Sequence, residues 1–144
     1  MPVPVFNPLQ NQSITSAMVN LTYGSTSVAT QETSTSTTYT DLATAGPATT
    51  ISPGVIQDHL ILIVSIGSNA AGDRHYHSVA IAAAAAADAD AGQGSWNNAT
   101  VGDGVHSSHA LAAAAASGAV HTSKYRTPSN TGRWQNRRVT AVAI

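Results

Sequence analysis

Histidine is the residue type whose spacing in this chain most suggests chemistry. His75 and His77 are separated by one residue, so a strand would place both imidazoles on one face. Paired imidazoles can bind zinc, iron or nickel, and a symmetric trimer could complete such a site on its axis. We favour the simpler interpretation, two half-exposed strand residues that make ordinary hydrogen bonds. His106 and His109 form a weaker pair, because a strand would not place both on one face.

Other side chains that can perform catalysis are present, but not in catalytic patterns. No G-x-S-x-G turn exposes a serine nucleophile, and no glycine-rich phosphate-binding loop follows a strand. The few carboxylates are scattered, which argues against an acid–base pair. The chain has no cysteine, so it offers neither disulfides nor thiolate chemistry. We therefore predict a protein that is not an enzyme and uses no cofactor or metal.

The composition favours a protein that packs against copies or partners. The 144 residues suffice for one domain. Charged residues make up only 9% of the chain, whereas about 25% is usual. The first ten residues lack the pattern of a signal peptide, and the longest apolar run, residues 60–66, is too short to span a bilayer. We expect no membrane partner.

The charges are distributed unevenly along the chain. All seven acidic residues lie at or before Asp103, whereas five of the six basic residues lie in the C-terminal segment. Five positive charges in a chain of net charge −1 are too few to indicate nucleic-acid binding, even with the aromatic residues Tyr125 and Trp134 nearby. A basic surface that meets an acidic protein partner is the preferred interpretation. The residues predicted to contribute are Arg133, Arg137 and Arg138.

Short strands separated by turns are predicted in the first half of the chain. Residues 33–40 are Thr, Ser and one Tyr, which favours a half-exposed strand over a solvated linker. Gly46-Pro47 and Pro53-Gly54 supply turns on either side of a short strand at 48–51. The apolar run 59–67 predicts a central strand buried on both faces, and residues 74–81 predict another strand.

The second half is harder to interpret because it contains alanine tracts at 82–87 and 112–116. Alanine is the best helix former, but an isolated helix this short is marginal. We expect a short helix or ordered loop near 82–91, a long loop at 93–104, and strands at 107–115 and 120–126. Residues 133–144 predict a closing strand in which Val139, Ala141 and Ala143 share one face.

About seven or eight short strands with turns between them predict an all-β fold. The expected architecture is a single β-sandwich, jelly-roll or immunoglobulin-like, over residues 25–144. Residues 1–24 carry several prolines, which disfavour helix, so we expect an extended N-terminal arm, with a frayed terminus as the alternative. The arm residues expected to bind a partner are Pro2, Pro4, Phe6, Pro8 and Leu9.

Two stretches resemble a known group of proteins. TSTSTTYTDLATAGP (33–47) resembles the opening, and YRTPSNTG (125–132) with TGRWQNRRVTAVAI (131–144) resembles the ending, of tailed-phage virion β-sandwich proteins. The resemblance covers residues 26–81 and 118–144, and the alanine tracts between them depart from the pattern. It implies a structural protein of the particle, such as a head decoration (cement) protein or a tail-associated protein.

The resemblance leads to two functional expectations. The first is a capsid decoration protein on the outer surface of the phage head, a homo-oligomer, expected to be a trimer, that binds the major capsid protein. The second is a tail or fibre module that binds a host-surface glycan through the loop 93–104, with Trp96 and Asn97 as the platform. The residues alone do not separate a head protein from a tail protein.

Overall fold

Two antiparallel sheets form the fold, and a computed structural model describes residues 22–69, 74–86, 93–95 and 104–144. The five-stranded sheet contains β1 (Tyr23–Val28), β2 (Glu32–Ser34), β4 (Gln57–Asn69), β7 (Gly104–Ala115) and β9 (Gly132–Ala143). The four-stranded sheet contains β3 (Ala48–Thr50), β5 (His75–Ala80), β6 (Gln93–Ser95) and β8 (Val120–Arg126). This confirms the all-β class, with the sheets face to face in a sandwich-like arrangement.

The order of strands places β4 and β9 inside the five-stranded sheet. The order is β1-β9-β4-β7, with β2 also paired to β9, and the other sheet has the order β3-β8-β5-β6. All of these pairings are antiparallel. Consecutive strands therefore often lie in different sheets, and the connections cross between the two layers.

The long strand β4 is buried on one face, which corrects the expectation that both faces are buried. Ile61 and Ile63 are fully buried between the sheets, whereas Leu62 between them is 43% exposed. Side chains alternate along a strand, and in the described part of the chain no layer covers the outer face. The apolar run therefore reflects two different environments, a core on one side and an exposed apolar surface on the other.

The closing strand β9 contains a bulge that changes which residues face inward. Its register with β4 shifts between Val64 and Ile66, and Asn136 has a φ of 47°. An extra residue at a bulge resets the alternation. As a result Trp134 and Arg137 both point into the interior, although they are three positions apart. Beyond the bulge the predicted inner face is confirmed, because Val139, Ala141 and Ala143 are buried.

The alanine tracts do not form a regular helix in the described residues. Residues 112–115 lie in β7, confirming the strand expected there, and Ala110, Ala112 and Ala115 join the core. The first tract begins with one 3₁₀ turn, Ile81–Ala83. No helix in the described segments is long and apolar enough to cross a membrane.

Three predicted boundaries differ from the structure. The strand expected at 33–40 is mostly absent, because β2 ends at Ser34 and only Thr40 makes a further isolated bridge, to Tyr125. The expected loop 93–104 begins with a short strand, β6, which pairs with β5, and residues 96–103 lie outside the described segments. Strand β1 starts at Tyr23, so the sheet already includes the last residues of the segment expected to be an arm. The remainder of that segment, residues 1–21, also lies outside the described part of the chain.

Candidate functional site

The histidines form the main polar feature of the interior. Five of the six histidines in the chain are buried between the two sheets. Four side-chain hydrogen bonds that they make join a residue of one sheet to a residue of the other. They are His59, His75, His77, His106 and His121.

His77 on β5 is held by two serine hydroxyls of the opposite sheet. Its Nδ1 lies 2.8 Å from Ser65 Oγ, and its Nε2 lies 2.9 Å from Ser108 Oγ. A neutral imidazole has one N–H donor and one acceptor nitrogen, so one hydroxyl donates and the other accepts. Burial, followed by the charges of His106 and His75, lowers the pKa of His77 to about 3. The ring is therefore neutral at physiological pH.

Two imidazole pairs also connect the sheets. His75 Nε2 lies 2.7 Å from His106 Nε2, and His59 Nδ1 lies 2.9 Å from His121 Nε2. In each pair one nitrogen carries a proton and donates it to the other. Burial lowers the pKa values of His59, His106 and His121. A Cβ at Gly67 would lie 2.7 Å from His75 Nε2, so this ring needs a glycine on β4 beneath it.

The burial of these rings corrects the expectation for His75 and His77. They are 0% and 1% exposed, rather than half-exposed. Rings sealed between two sheets cannot meet their copies on a symmetry axis, which argues against the trimeric metal site that the sequence left as an alternative. The described residues also contain no group of three or more histidines and carboxylates arranged to hold a metal ion. These histidines instead bind the two sheets to each other.

The sequence contained a signal for this cluster that its interpretation missed. His59 stands in phase with Ile61 and Ile63, and His75 and His77 stand in phase with Val79. A histidine in phase with apolar residues on one strand face shares their burial. The predicted contrast between His106 and His109 is confirmed, since His106 is buried and His109 is exposed.

Arg137 is also an interior residue. Its Nη2 donates to Glu32 Oε2 at 2.7 Å, and its Nη1 donates to the carbonyls of Thr44 and Gly46. Burial raises the pKa of Glu32, but hydrogen bonds from Thr44 and the Arg137 charge outweigh it, so the pKa is lowered overall. Because Arg137 has no exposed side-chain surface, this guanidinium supports the fold and is not displayed for an external partner.

The other predicted basic residues take different positions. Arg133 Nε donates to Ser68 Oγ at 3.1 Å beside β4, and Arg138 is exposed on the outer face of β9. The three arginines therefore do not form one patch. Tyr125 and Trp134 are fully buried, with ring centroids 5.5 Å apart, so neither ring is exposed for stacking on a base.

The five-stranded sheet has an apolar surface on the side that faces away from the other sheet. Every outward residue of β4 from position 60 to 66 is aliphatic, and residues of β7 extend this surface. Val105 is 74% exposed and Leu111 is 55% exposed. We call this surface the outer face and define its apolar part by Leu60, Leu62, Val64, Ile66, Val105 and Leu111.

A groove of about 430 Å³ lies at one end of the outer face. Val64, Ile66 and Val105 form its apolar side, and Asn136 and Arg138 contribute polar groups. The predicted arm residues Pro2, Pro4, Phe6, Pro8 and Leu9, and the predicted platform of Trp96 and Asn97, lie outside the described segments. The outer face was not predicted from the sequence, because the aliphatic run was assigned to a strand buried on both sides.

The geometry described above is the basis for a functional proposal, because neither a protein-family model nor a curated protein sequence matches this chain.

Proposed function

We propose that this chain is a non-enzymatic structural protein of a tailed-phage particle, a capsid decoration (cement) protein on the outer surface of the head. The observation that best supports it is the contrast between interior and surface. The side chains with catalytic potential that the sequence singled out, the buried histidines, are engaged in hydrogen bonds between the sheets. The surface instead offers an exposed apolar sheet face, and such patches are typical of interaction sites.

The proposed mechanism is stabilisation by binding. A protein that binds the assembled lattice and not its dissociated subunits stabilises the lattice by mass action. Many repeated contacts then add through multivalency. Low overall charge suits close lateral packing, because a buried unpaired charge is costly. The partners are the major capsid protein and further copies of this chain in a small homo-oligomer.

The finer parts of the proposal rest on the sequence resemblance. They are the jelly-roll or immunoglobulin-like connectivity, the trimeric state, and the contact of the N-terminal segment with the capsid. Arg138 is the predicted partner-binding arginine with the most exposed position. Its place beside the apolar groove suits a partner that offers an acidic group next to aliphatic side chains.

The test is to locate the chain in the particle. Purified particles are separated into tail-less heads and isolated tails, and the chain is quantified in each by mass spectrometry. Hundreds of copies per head, with none on the tails, are expected for a decoration protein. A few copies confined to the tails would contradict the proposal, and would make the glycan-binding alternative and Trp96 the next subject of study.

A further inference from the structure

The outer face has the anatomy of a protein–protein interface. Its centre is the aliphatic line of β4, Leu60, Leu62, Val64 and Ile66. Beside the middle of this line the neighbouring strands contribute polar residues, Ser25 and Thr140 in one flank and Ser107 and His109 in the other. Val105 and Leu111 extend the apolar surface at the two ends of the β7 flank. An apolar centre with a polar rim is the usual organisation of a buried contact.

The size of the outer face matches what a stable dimer needs. Strands β7 and β9 each have 12 residues, and β4 has 13. With about 3.3 Å per residue and about 4.8 Å between strands, these three strands and the six-residue β1 cover about 680 Å². Standard interfaces bury about 600–1,000 Å² per partner. The face is thus large enough to hold two copies together without a further surface.

The charges of the outer face would be complementary to those of a second copy whose β4 runs antiparallel to the first. Asp58 lies at the start of β4 on the same side as Leu60, and its Oδ1 accepts a hydrogen bond from Ala114 N at 2.8 Å. Arg138 lies beside Val64, and Arg133 lies further along beside Ser68. The described face therefore has an acidic end and a basic end. A two-fold axis across the middle of β4 brings the acidic end of each copy to the basic end of the other.

We propose that two copies of this chain pack through their outer faces about a two-fold axis that crosses β4 near Leu62. This inference deepens the self-association in the proposed function by naming its surface and symmetry, with a two-fold dimer in place of the trimer that the resemblance implies. It rests on that self-association, not on the location in the particle. Two antiparallel sheets stack face to face at about 10 Å, as in other sheet-on-sheet packings. The resulting assembly has four sheet layers, with the two outer faces buried at its centre.

The first experiment measures the mass of the purified protein by light scattering after size exclusion. The wild-type chain is expected at twice its 14.6 kDa mass. Leu62→Glu puts two like charges at the centre of the interface, so we expect dimerisation to weaken by more than about 100-fold. Val120→Glu is the matched control, because Val120 is 42% exposed on the other sheet and Leu62 is 43% exposed. This control is expected to remain a dimer.

A second experiment stays informative if Leu62→Glu does not fold. The chain has no cysteine, so a single introduced thiol reports on one position. Leu62→Cys is a mild change at an exposed site and places one thiol from each copy near the proposed axis. A short bis-maleimide is expected to cross-link Leu62→Cys into a covalent dimer at micromolar protein. Val120→Cys is expected to give no covalent dimer under the same conditions, although it still associates.

The outcomes separate this inference from the proposed function. A monomeric wild type overturns both the self-association and the interface. A mass of three chains, a Leu62→Glu dimer, or equal cross-linking of the two cysteine variants overturns the two-fold pairing while leaving the decoration role open. A two-fold dimer found only on phage tails would support the pairing and contradict the head location.

Discussion

At the scale of single residues, the buried charge of Arg137 is matched by specific partners. Arg137 came from the segment interpreted as a basic surface, yet its guanidinium lies inside and contacts Glu32 and two backbone carbonyls. Lys124 and Asp41 form a second ion pair, also at short distance, but both of its side chains are partly exposed. The two pairs differ mainly in burial, and burial decides how much the free energy of unfolding falls when one partner is removed.

Replacing Glu32 is expected to destabilise the protein strongly. Glu32→Ala leaves the buried Arg137 charge without its carboxylate, and breaking a buried pair costs about 3 kcal/mol or more. Lys124→Ala removes a partly exposed partner and is expected to cost less than about 1 kcal/mol. Urea unfolding of both variants at pH 7 measures the two losses. Similar losses for both variants would show that burial of the Arg137 pair carries no special weight.

At the scale of elements, the alternation of apolar and polar residues along a strand predicts which face is buried only as far as the next β-bulge. The alternation of β9 was predicted correctly from Val139 onward, and the bulge at Asn136 changes it on the N-terminal side. The bulge allows Trp134 and Arg137 to share the inner face. One local irregularity therefore turned an arginine expected at the surface into an interior residue.

Truncating the inner face of β9 is expected to cost far more than the same change on an outer face. Val139 is fully buried in the core, whereas Val120 is 42% exposed. Val139→Ala removes two buried methyl groups and leaves a cavity, for an expected loss of about 2 kcal/mol. Val120→Ala is expected to change stability by less than about 0.5 kcal/mol. Chemical denaturation compares them, and equal losses would contradict the assigned orientation of β9.

At the scale of the whole molecule, the two sheets are joined by neutral histidines as well as by aliphatic side chains. His77 reaches two serines of the opposite sheet, and the His59–His121 and His75–His106 pairs make two further links. A cationic imidazole between the sheets would be poorly solvated, so folding favours the neutral form. The stability of the whole molecule is thereby coupled to pH.

Acidification below the ordinary histidine pKa is expected to weaken the fold. Burial lowers the pKa of His77 from 6.5 to about 3, so between these values the unfolded chain binds a proton that the folded chain does not. Stability is therefore full above about pH 6.5 and falls as pH decreases towards 3, by about 5 kcal/mol for His77. His59, His106 and His121 shift in the same direction and steepen the loss.

Urea unfolding at pH 7.5, 6.0 and 5.0 measures this dependence. The window lies above the ordinary Glu pKa of 4.5, and the pKa of Glu32 is lower still, so its pair with Arg137 stays intact. His77→Gln keeps an amide donor and acceptor for Ser65 and Ser108 but does not titrate. This variant is expected to reduce the slope by an amount that grows from near zero at pH 7.5 to about 1.4 kcal/mol per pH unit near pH 5, where the unfolded histidine is almost fully protonated. A wild-type stability that is flat from pH 7.5 to 5.0 would contradict neutral burial of the histidines.

Much of the secondary structure could be predicted because its signals are local. The turn residues around 48–51, the β-branched run at 59–67 and the alternation after Arg138 each lie within a few residues, and the strands expected there are present. The loop expected at 93–104 was partly wrong, because β6 is specified by its pairing with β5 and not by its own sequence. The inward orientation of the histidines had a local signal in their phase with Ile61, Ile63 and Val79.

The sequence by itself therefore determined the all-β class, most strand positions and the low charge of the molecule, because strand period and composition are properties of neighbouring residues. Only the tertiary structure decided which residues meet. His59 contacts His121 across 62 positions, and Arg137 contacts Glu32 across 105 positions. Such partners depend on how the sheets pair, how they stack and where a bulge shifts the register. For the same reason, only the assembled sheet showed that the aliphatic line of β4 lies on a partly exposed surface.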